Sequence, residues 1–208
     1  MTIVKFSLGE LLANCYFLIE DNECLIIDPA DEASFILEEL QRRRLKLVGM
    51  LATHGHFDHI MATGEIQLSF NIPLFINKKD QFLIDRLSET AEYFLGFKPD
   101  IVKQSNLKLE ISNYLITNYG LQILETPGHT PGSRSFYLEK EKVIFTGDTL
   151  FKEAIGRYDF SYCNKKDLKN SLIKLGKLPK DTVVYSGHGE ETTIRDEQTN
   201  ILHSINRM

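Results

Sequence analysis

Cysteine is scarce in this chain of 208 residues; Cys15, Cys24 and Cys163 are its full complement. They are odd in number, scattered and outside CxxC spacing. That excludes a disulfide framework and a thiolate zinc cluster, and they read as buried, reduced thiols of a cytoplasmic protein. Long hydrophobic runs are missing too. No stretch approaches the roughly 20 apolar residues of a membrane span, and Met1 to Glu10 lacks the cationic start and apolar core of a signal peptide. A cationic surplus is also absent: Lys and Arg total 24 against 29 Asp and Glu, a formal net charge of −5. Nucleic-acid binding needs concentrated positive charge. The basic cluster Arg42-Arg43-Arg44 reads instead as the solvated end of a helix, where cations suit the dipole. The expected partner is a small-molecule substrate, with neither nucleic acid nor membrane; composition leaves the oligomeric state open.

What is present is ordinary globular material, 42% hydrophobic and 25% charged. It is long enough to bury a sizeable core. Residues 2–7 are predicted as an edge strand. Residues 14–20 and 23–28 are β-rich runs around the turn Asp21-Asn22, a hairpin signal. Helical spacing covers 32–44, a buried strand 47–53, a helix 60–70, a short strand 73–76 and a second helix 78–95. Residues 96–118 are expected to be irregular, with one or two short strands. The second half then echoes the first. Strands at 121–126, 135–138 and 143–146 precede a helix at 165–175, a strand at 182–186 and a last helix at 192–205. Tyr16 to Asp28 and Phe136 to Asp148 are both hairpins whose second strand ends in an aspartate. No Gly/Ser or charged linker separates the halves. The reading is one α/β (α+β) domain over 1–208, with similar halves at about 1–110 and 111–208, and two sheets packed face to face under outer helices.

Five of the six histidines lie in three short motifs. Thr53-His54-Gly55-His56-Phe57-Asp58-His59-Ile60 packs three of them and an aspartate into six positions. His129 lies in Thr126-Pro127-Gly128-His129-Thr130-Pro131-Gly132-Ser133, and His188 in Ser186-Gly187-His188-Gly189. Asp148 lies in Thr146-Gly147-Asp148-Thr149. Imidazole and carboxylate are ligands for Zn²⁺, Fe²⁺ and Mn²⁺. Each motif begins where a predicted strand ends, a rigid mount for loop-borne chemistry. On a turning backbone, His54 and His56 face one point and Asp58 and His59 a neighbouring one. The expected arrangement is two divalent ions, zinc favoured and iron or manganese as alternatives. His54, His56, His129 and Asp148 would hold one ion, and Asp58, His59, His188 and the shared Asp148 the other. His203 falls outside every motif and reads as a surface residue. Asp28 reads as a structural carboxylate accepting backbone N–H groups.

These motifs resemble the metallo-β-lactamase superfamily, and in finer detail its glyoxalase II-like branch. The likeness extends to Gly147-Asp148-Thr149-Leu150-Phe151, Ile155-Gly156-Arg157 and Glu191-Thr192-Thr193-Ile194, and so covers nearly the whole chain. It implies a four-layer αβ/βα sandwich with metals at one edge, and hydrolysis of a thioester of the S-lactoylglutathione type. Full-length enzymes of that branch carry an added C-terminal helical region that contacts glutathione. This chain ends at Met208 without one, like the compact single-domain relatives. Tyr158-Asp159 stands after Gly-Arg where relatives often have Thr or Ser before the Asp, and Asp28-Pro29-Ala30 replaces Asp-Pro-Gly.

The expected mechanism has two ions sharing a hydroxide that attacks the substrate carbonyl. Asp58 is the catalytic candidate, orienting the nucleophile and shuttling its proton. Lys152, Arg157 and Tyr158 are candidates for holding an anionic substrate group, with Arg157 favoured for its fork. Phe57, Phe151 and Tyr158 are candidates for an apolar wall. Alternatives are lactone or β-lactam hydrolysis on the same site, and a persulfide dioxygenase-like oxygenation, whose family holds one iron with two histidines and an aspartate.

Overall fold

The apolar runs Cys15–Leu18 and Cys24–Ile27 are buried on both faces of their strands, and that places two layers of core around one sheet. The computed structural model describes residues 1–208. The chain begins with β1 (Thr2–Leu8), β2 (Ala13–Glu20), β3 (Glu23–Ile27), α1 (Ala33–Arg42) and β4 (Lys46–Leu51). It continues through α2 (Phe57–Ile60), α3 (Thr63–Ser69), β5 (Leu74–Phe75), α4 (Gln81–Asp85), α5 (Leu87–Leu95) and β6 (Leu107–Lys108). The remainder is α6 (Asn113–Tyr119), β7 (Leu121–Glu125), β8 (Arg134–Leu138), β9 (Val143–Gly147), β10 (Leu150–Phe151), β11 (Ala154–Ile155), α7 (Lys165–Leu175), β12 (Val183–Ser186), β13 (Thr192–Thr193) and α8 (Ile194–Arg207).

One sheet runs β1-β2-β3-β4-β5-β6 and the other β13-β12-β9-β8-β7. Alternation along each strand divides the side chains between layers. Tyr16, Leu18, Leu25 and Ile27 meet Phe136, Leu138, Val143 and Phe145 between the sheets. The intervening Cys15, Phe17, Cys24 and Ile26 face outward, onto Ile36 and Leu40 of α1 and Ile66 of α3. On the far side, Tyr137 and Ile144 pack against Leu168, Leu172 and Leu175 of α7 and Ile194 and Ile201 of α8. The result is a four-layer αβ/βα sandwich.

Several local expectations are corrected. The helix foreseen at 60–70 is two pieces, α2 and α3, and the one at 78–95 divides into α4 and α5 at Arg86, whose φ of −110° and ψ of 16° leave the helical region. Within the stretch expected to be irregular lies a helix, α6. Its sequence, Asn-Tyr-Leu-Ile-Thr-Asn-Tyr, consists of weak helix formers apart from Leu115. Ser112 caps it by accepting from the Leu115 N–H, Gly120 ends it in the left-handed region at φ 60°, and Leu115 and Tyr119 are buried one turn apart. Packing and caps outweigh propensity here. The loop after Asp148 is a tight hairpin, Leu150 opposite Ile155 and Phe151 opposite Ala154, too short to show a strand pattern in sequence. Of the cysteines, Cys15 and Cys24 are buried as expected, whereas Cys163 is partly exposed.

Strands β3 and β4 are parallel, as are β9 and β12. Their C-terminal ends therefore point the same way in each sheet, and backbone bonds tie them together. The Gly187 N–H donates to Gly147 O at 2.8 Å, the Arg134 N–H to Thr53 O at 2.8 Å and the Asn14 N–H to Gly187 O at 2.7 Å. All the motif residues lie at this edge.

Candidate metal centre

His54 and His56 follow the end of β4, Asp58 and His59 sit on the single turn of α2, Asp148 follows β9 and His188 follows β12. His129 lies on the loop between β7 and β8, which is anchored to the start of α7. There the Asn164 N–H donates to Gly128 O at 2.9 Å and the Ser171 hydroxyl to Pro127 O at 2.7 Å. All seven predicted ligands converge. The donor atoms of His54, His56, His129 and Asp148 lie within 4.8 Å of one another, and so do those of Asp58, His59 and His188. Asp148 stands between the groups, with Oδ1 3.4 Å from His59 Nε2 and Oδ2 3.6 Å from His129 Nε2.

The outer hydrogen bonds decide which ring nitrogen keeps its proton. His129 Nδ1 lies 2.8 Å from Arg157 O and His188 Nδ1 lies 3.0 Å from Leu11 O, so each of these nitrogens donates to a carbonyl. His59 Nδ1 donates to Asp28 Oδ2 at 3.0 Å. Thr53 Oγ1 donates to Asp28 Oδ2 at 2.7 Å and so accepts from His54 Nδ1 at 3.0 Å. Four rings thus keep a proton on Nδ1 and turn Nε2 inward. His56 is reversed: its Nε2 lies 2.8 Å from the Tyr162 hydroxyl, and its Nδ1 is 3.0 Å from both His54 Nε2 and His129 Nε2. Three imidazole nitrogens meeting at that spacing have too few protons to satisfy one another. His59 Nε2 and Asp148 Oδ1 are buried and neither has a hydrogen-bond partner. Buried polar atoms are ordinarily paired, so this set of orphaned N and O donors fits divalent cations, with the outer partners orienting the ligands.

Charge follows the same division. Burial, reinforced by His59 and His56, holds His54 well below the usual histidine range. Burial and His129 push His56 down to about 3. For His59 burial works in the same direction, but the Asp58 and Asp148 carboxylates overcome it and hold the ring well above its ordinary value. His188 is likewise raised: burial opposes its charge, and the hydrogen bond to Asp58 at 3.2 Å outweighs it. Asp58 and Asp148 are lowered despite burial, chiefly by His59.

Sequence reasoning missed several supports. Asp80, fully buried, accepts from the Gly55 N–H at 2.9 Å, the Thr130 hydroxyl at 2.7 Å and the Gly132 N–H at 2.7 Å, and so joins the His54–His59 loop to the His129 loop. Asp28 accepts the Thr53 N–H as expected but also orients His59. Tyr162 holds His56. The signal for each is a contact between residues far apart in the chain. Gly187 has a steric reason to be glycine: a Cβ there would stand 2.1 Å from Asp148 Oδ1 and 2.7 Å from His59 Cε1.

A cavity of about 120 Å³ opens beside the cluster, lined by His56, Asp58, His129, Asp148, Phe57 and Arg157 among others. Of the three proposed substrate residues, Arg157 reaches it. Its guanidinium pairs with Asp159 at 2.7 and 2.8 Å and lies 4.0 Å from the Phe160 ring centroid. Lys152 sits at the turn of the β10–β11 hairpin, pairs with Glu190 at 2.5 Å and is not among the lining residues. Tyr158 packs instead toward α7, beneath the Lys165 ammonium, 5.2 Å from its ring. The apolar wall is made by Phe57, Phe94, Phe160 and Leu11 rather than by Phe151 and Tyr158.

The sequence from 8 to 188 matches the family model described as Metallo-beta-lactamase superfamily. A curated relative from Haemophilus influenzae, the hydroxyacylglutathione hydrolase GloC, is 36% identical, with 89% of each chain covered. The crystal structure of BLEG-1 B3 metallo-beta-lactamase superposes with a TM-score of 0.82 at 33% identity, covering 95% of this chain and 97% of that one. That of TTHA1623 in a di-iron-bound form does so with a TM-score of 0.83 at 32% identity, covering 93% and 96%. The motifs, the two-sheet sandwich and these likenesses agree, and the chain belongs to the metallo-beta-lactamase superfamily.

Proposed function

We propose that this metallo-hydrolase of the superfamily acts on thioesters, with S-lactoylglutathione as the first substrate to test. The observation carrying this reading is the convergence of five inward ring nitrogens and two carboxylates beside an open cavity. Likeness to a hydroxyacylglutathione hydrolase over 89% of the chain supports the thioester. Two zinc ions are the proposed occupants, and a cytoplasmic location belongs to the same reading. No helix is long and apolar enough to cross a membrane.

When bound, such ions supply Lewis acidity and lower the pKa of water toward neutrality. The chain's own residues do the rest. His54, His56, His129 and Asp148 would hold one ion, and Asp58, His59 and His188 would hold the other, with Asp148 standing between the two groups. Asp58, ionised because His59 and His188 outweigh its burial, orients the attacking water and takes its proton. That proton then passes to the leaving thiolate. Phe57, Phe94 and Leu11 exclude bulk water from the reacting group. Likeness to BLEG-1 favours a second reading, β-lactam hydrolysis by the same water attack.

The test is to purify the protein without added metal, measure metal stoichiometry and assay thioesters, lactones and nitrocefin on one sample. Two metals per chain with thioesters turned over fastest is the expected result. Nitrocefin as the sole substrate would replace the thioester reading with the lactam one. A single tightly held iron with oxygen uptake would overturn hydrolysis altogether.

A further inference from the structure

The cavity beside the histidines continues outward. Thr90, Phe94 and Phe160 line it and also line a second cleft of about 700 Å³, whose other walls include Phe82, Tyr93 and Tyr162. Ligand pockets occupy roughly 300–1,000 Å³. The inner cavity alone has room for a reacting carbonyl and its immediate substituents, and the outer cleft has room for a larger group.

The walls of that cleft are aromatic. Phe57, next to the catalytic aspartate in sequence, stacks on Phe94 at 6.0 Å, and Phe94 meets Phe160 edge-on at 6.2 Å. Phe160 stacks on Tyr162 at 5.3 Å, and Phe82 meets Tyr162 edge-on at 5.3 Å. An unbroken path of rings therefore leads from the metal centre to the surface. Tyr93 is 81% exposed and Phe94 42%, on the face of α5 that borders this cleft. Apolar surface gathered in one place beside a reaction centre is unlike singly scattered exposed residues. The cations along the path already face acids, Arg157 with Asp159 and Arg86 with Glu89 at 3.1 Å.

We propose that this cleft binds an apolar, ring-bearing arm of the substrate, so that the preferred substrates are thioesters with an aryl group on the acyl or the thiol side. The inference rests on the thioesterase reading for the position of the carbonyl.

Two matched pairs of small neutral thioesters test it on the metal-loaded enzyme: phenylacetyl against acetyl on the acyl side, and phenethyl against ethyl on the thiol side. In at least one pair the aryl member should have the higher kcat/KM, by roughly tenfold or more, as burial of a ring in an apolar pocket implies. Tyr93→Ala, which has little packing to lose, and Phe160→Ala should each shrink that ratio. Binding of the corresponding phenethyl and ethyl thioethers, followed calorimetrically, removes turnover from the comparison. If no compound is hydrolysed but the phenethyl thioether still binds more tightly, and Tyr93→Ala abolishes the difference, the aryl cleft stands while the thioesterase reading falls. Equal rates within both pairs, or equal thioether binding, overturns the cleft. So does a dimer lost on Tyr93→Ala with thioether binding unchanged, which would make the face a protein interface.

Discussion

Asp28 accepts the Nδ1–H of His59 at 3.0 Å, and both side chains are buried at the edge where β3 and β4 end. The same carboxylate takes the N–H and the hydroxyl of Thr53. One aspartate thus holds a ligand ring and the start of the ligand loop in register. Asp28→Asn replaces one acceptor oxygen with a donor facing other donors. Metal affinity at the Asp58–His59–His188 group should fall by about 10- to 100-fold, the usual effect of losing an outer partner. Competitive titration with a chromophoric chelator reads it, and unchanged affinity would reduce Asp28 to a purely structural role.

Asp58, the proposed proton carrier, has Oδ2 3.2 Å from His188 Nε2 and its carboxylate on the cavity wall. Asp58→Asn should lower kcat by about 100-fold or more, within the range for general acid–base groups, with a much smaller change in KM. Metal content must be measured on the same sample. Full turnover with both metals bound would remove Asp58 from the mechanism.

Asp80 satisfies three donors from two different loops, and its own burial raises its pKa above the ordinary carboxylate value. Removing a partner from buried donors costs about 1–3 kcal/mol for each group left unsatisfied. Asp80→Ala should therefore lower the thermal midpoint by several degrees and weaken metal binding, although Asp80 is no ligand. A variant with unchanged Tm and unchanged metal affinity would show that the two loops hold their places independently.

Metal uptake should depend on pH differently in the two groups. His59 and His188 have raised pKa values, so without metal they keep protons that an incoming ion must displace. His54 and His56 are lowered and already neutral near pH 7. Protons compete with metal only where the ring holds them. As pH falls from about 8 to about 6, affinity should drop more steeply at the Asp58–His59–His188 group, leaving one metal per chain before none. Cobalt titrations at several pH values would reveal this, and parallel loss of both ions would contradict it.

The strand pairs around Asp21-Asn22 and Glu139 to Lys142 were legible because alternation and a polar turn are local signals. They predicted β2, β3, β8 and β9 within a residue or two. Helix α6 was not legible, since its Asn and Tyr residues are weak helix formers and the burial of Leu115 and Tyr119, with the caps at Ser112 and Gly120, stabilises it. Lys152 and Tyr158 looked like substrate contacts from their nearness to Asp148. The two-residue strands β10 and β11 turn that segment into a hairpin, and Tyr158 then packs against α7's side of the molecule.

Residue type and short-range spacing were enough to single out the seven side chains that converge, because His54, His56, Asp58 and His59 crowd into six positions and His129, Asp148 and His188 each sit in a glycine-flanked turn after a predicted strand. How those donors are held depended on folding. Asp80 lies 52 positions from Gly132 and Tyr162 lies 106 from His56, and separations of that size leave no periodic trace. The proton positions on each ring, the hydrogen bonds that orient them and the aromatic cleft arise only when the two sheets bring strand ends and loops to one edge. They are relations between distant side chains, fixed by packing rather than by any local run of residues.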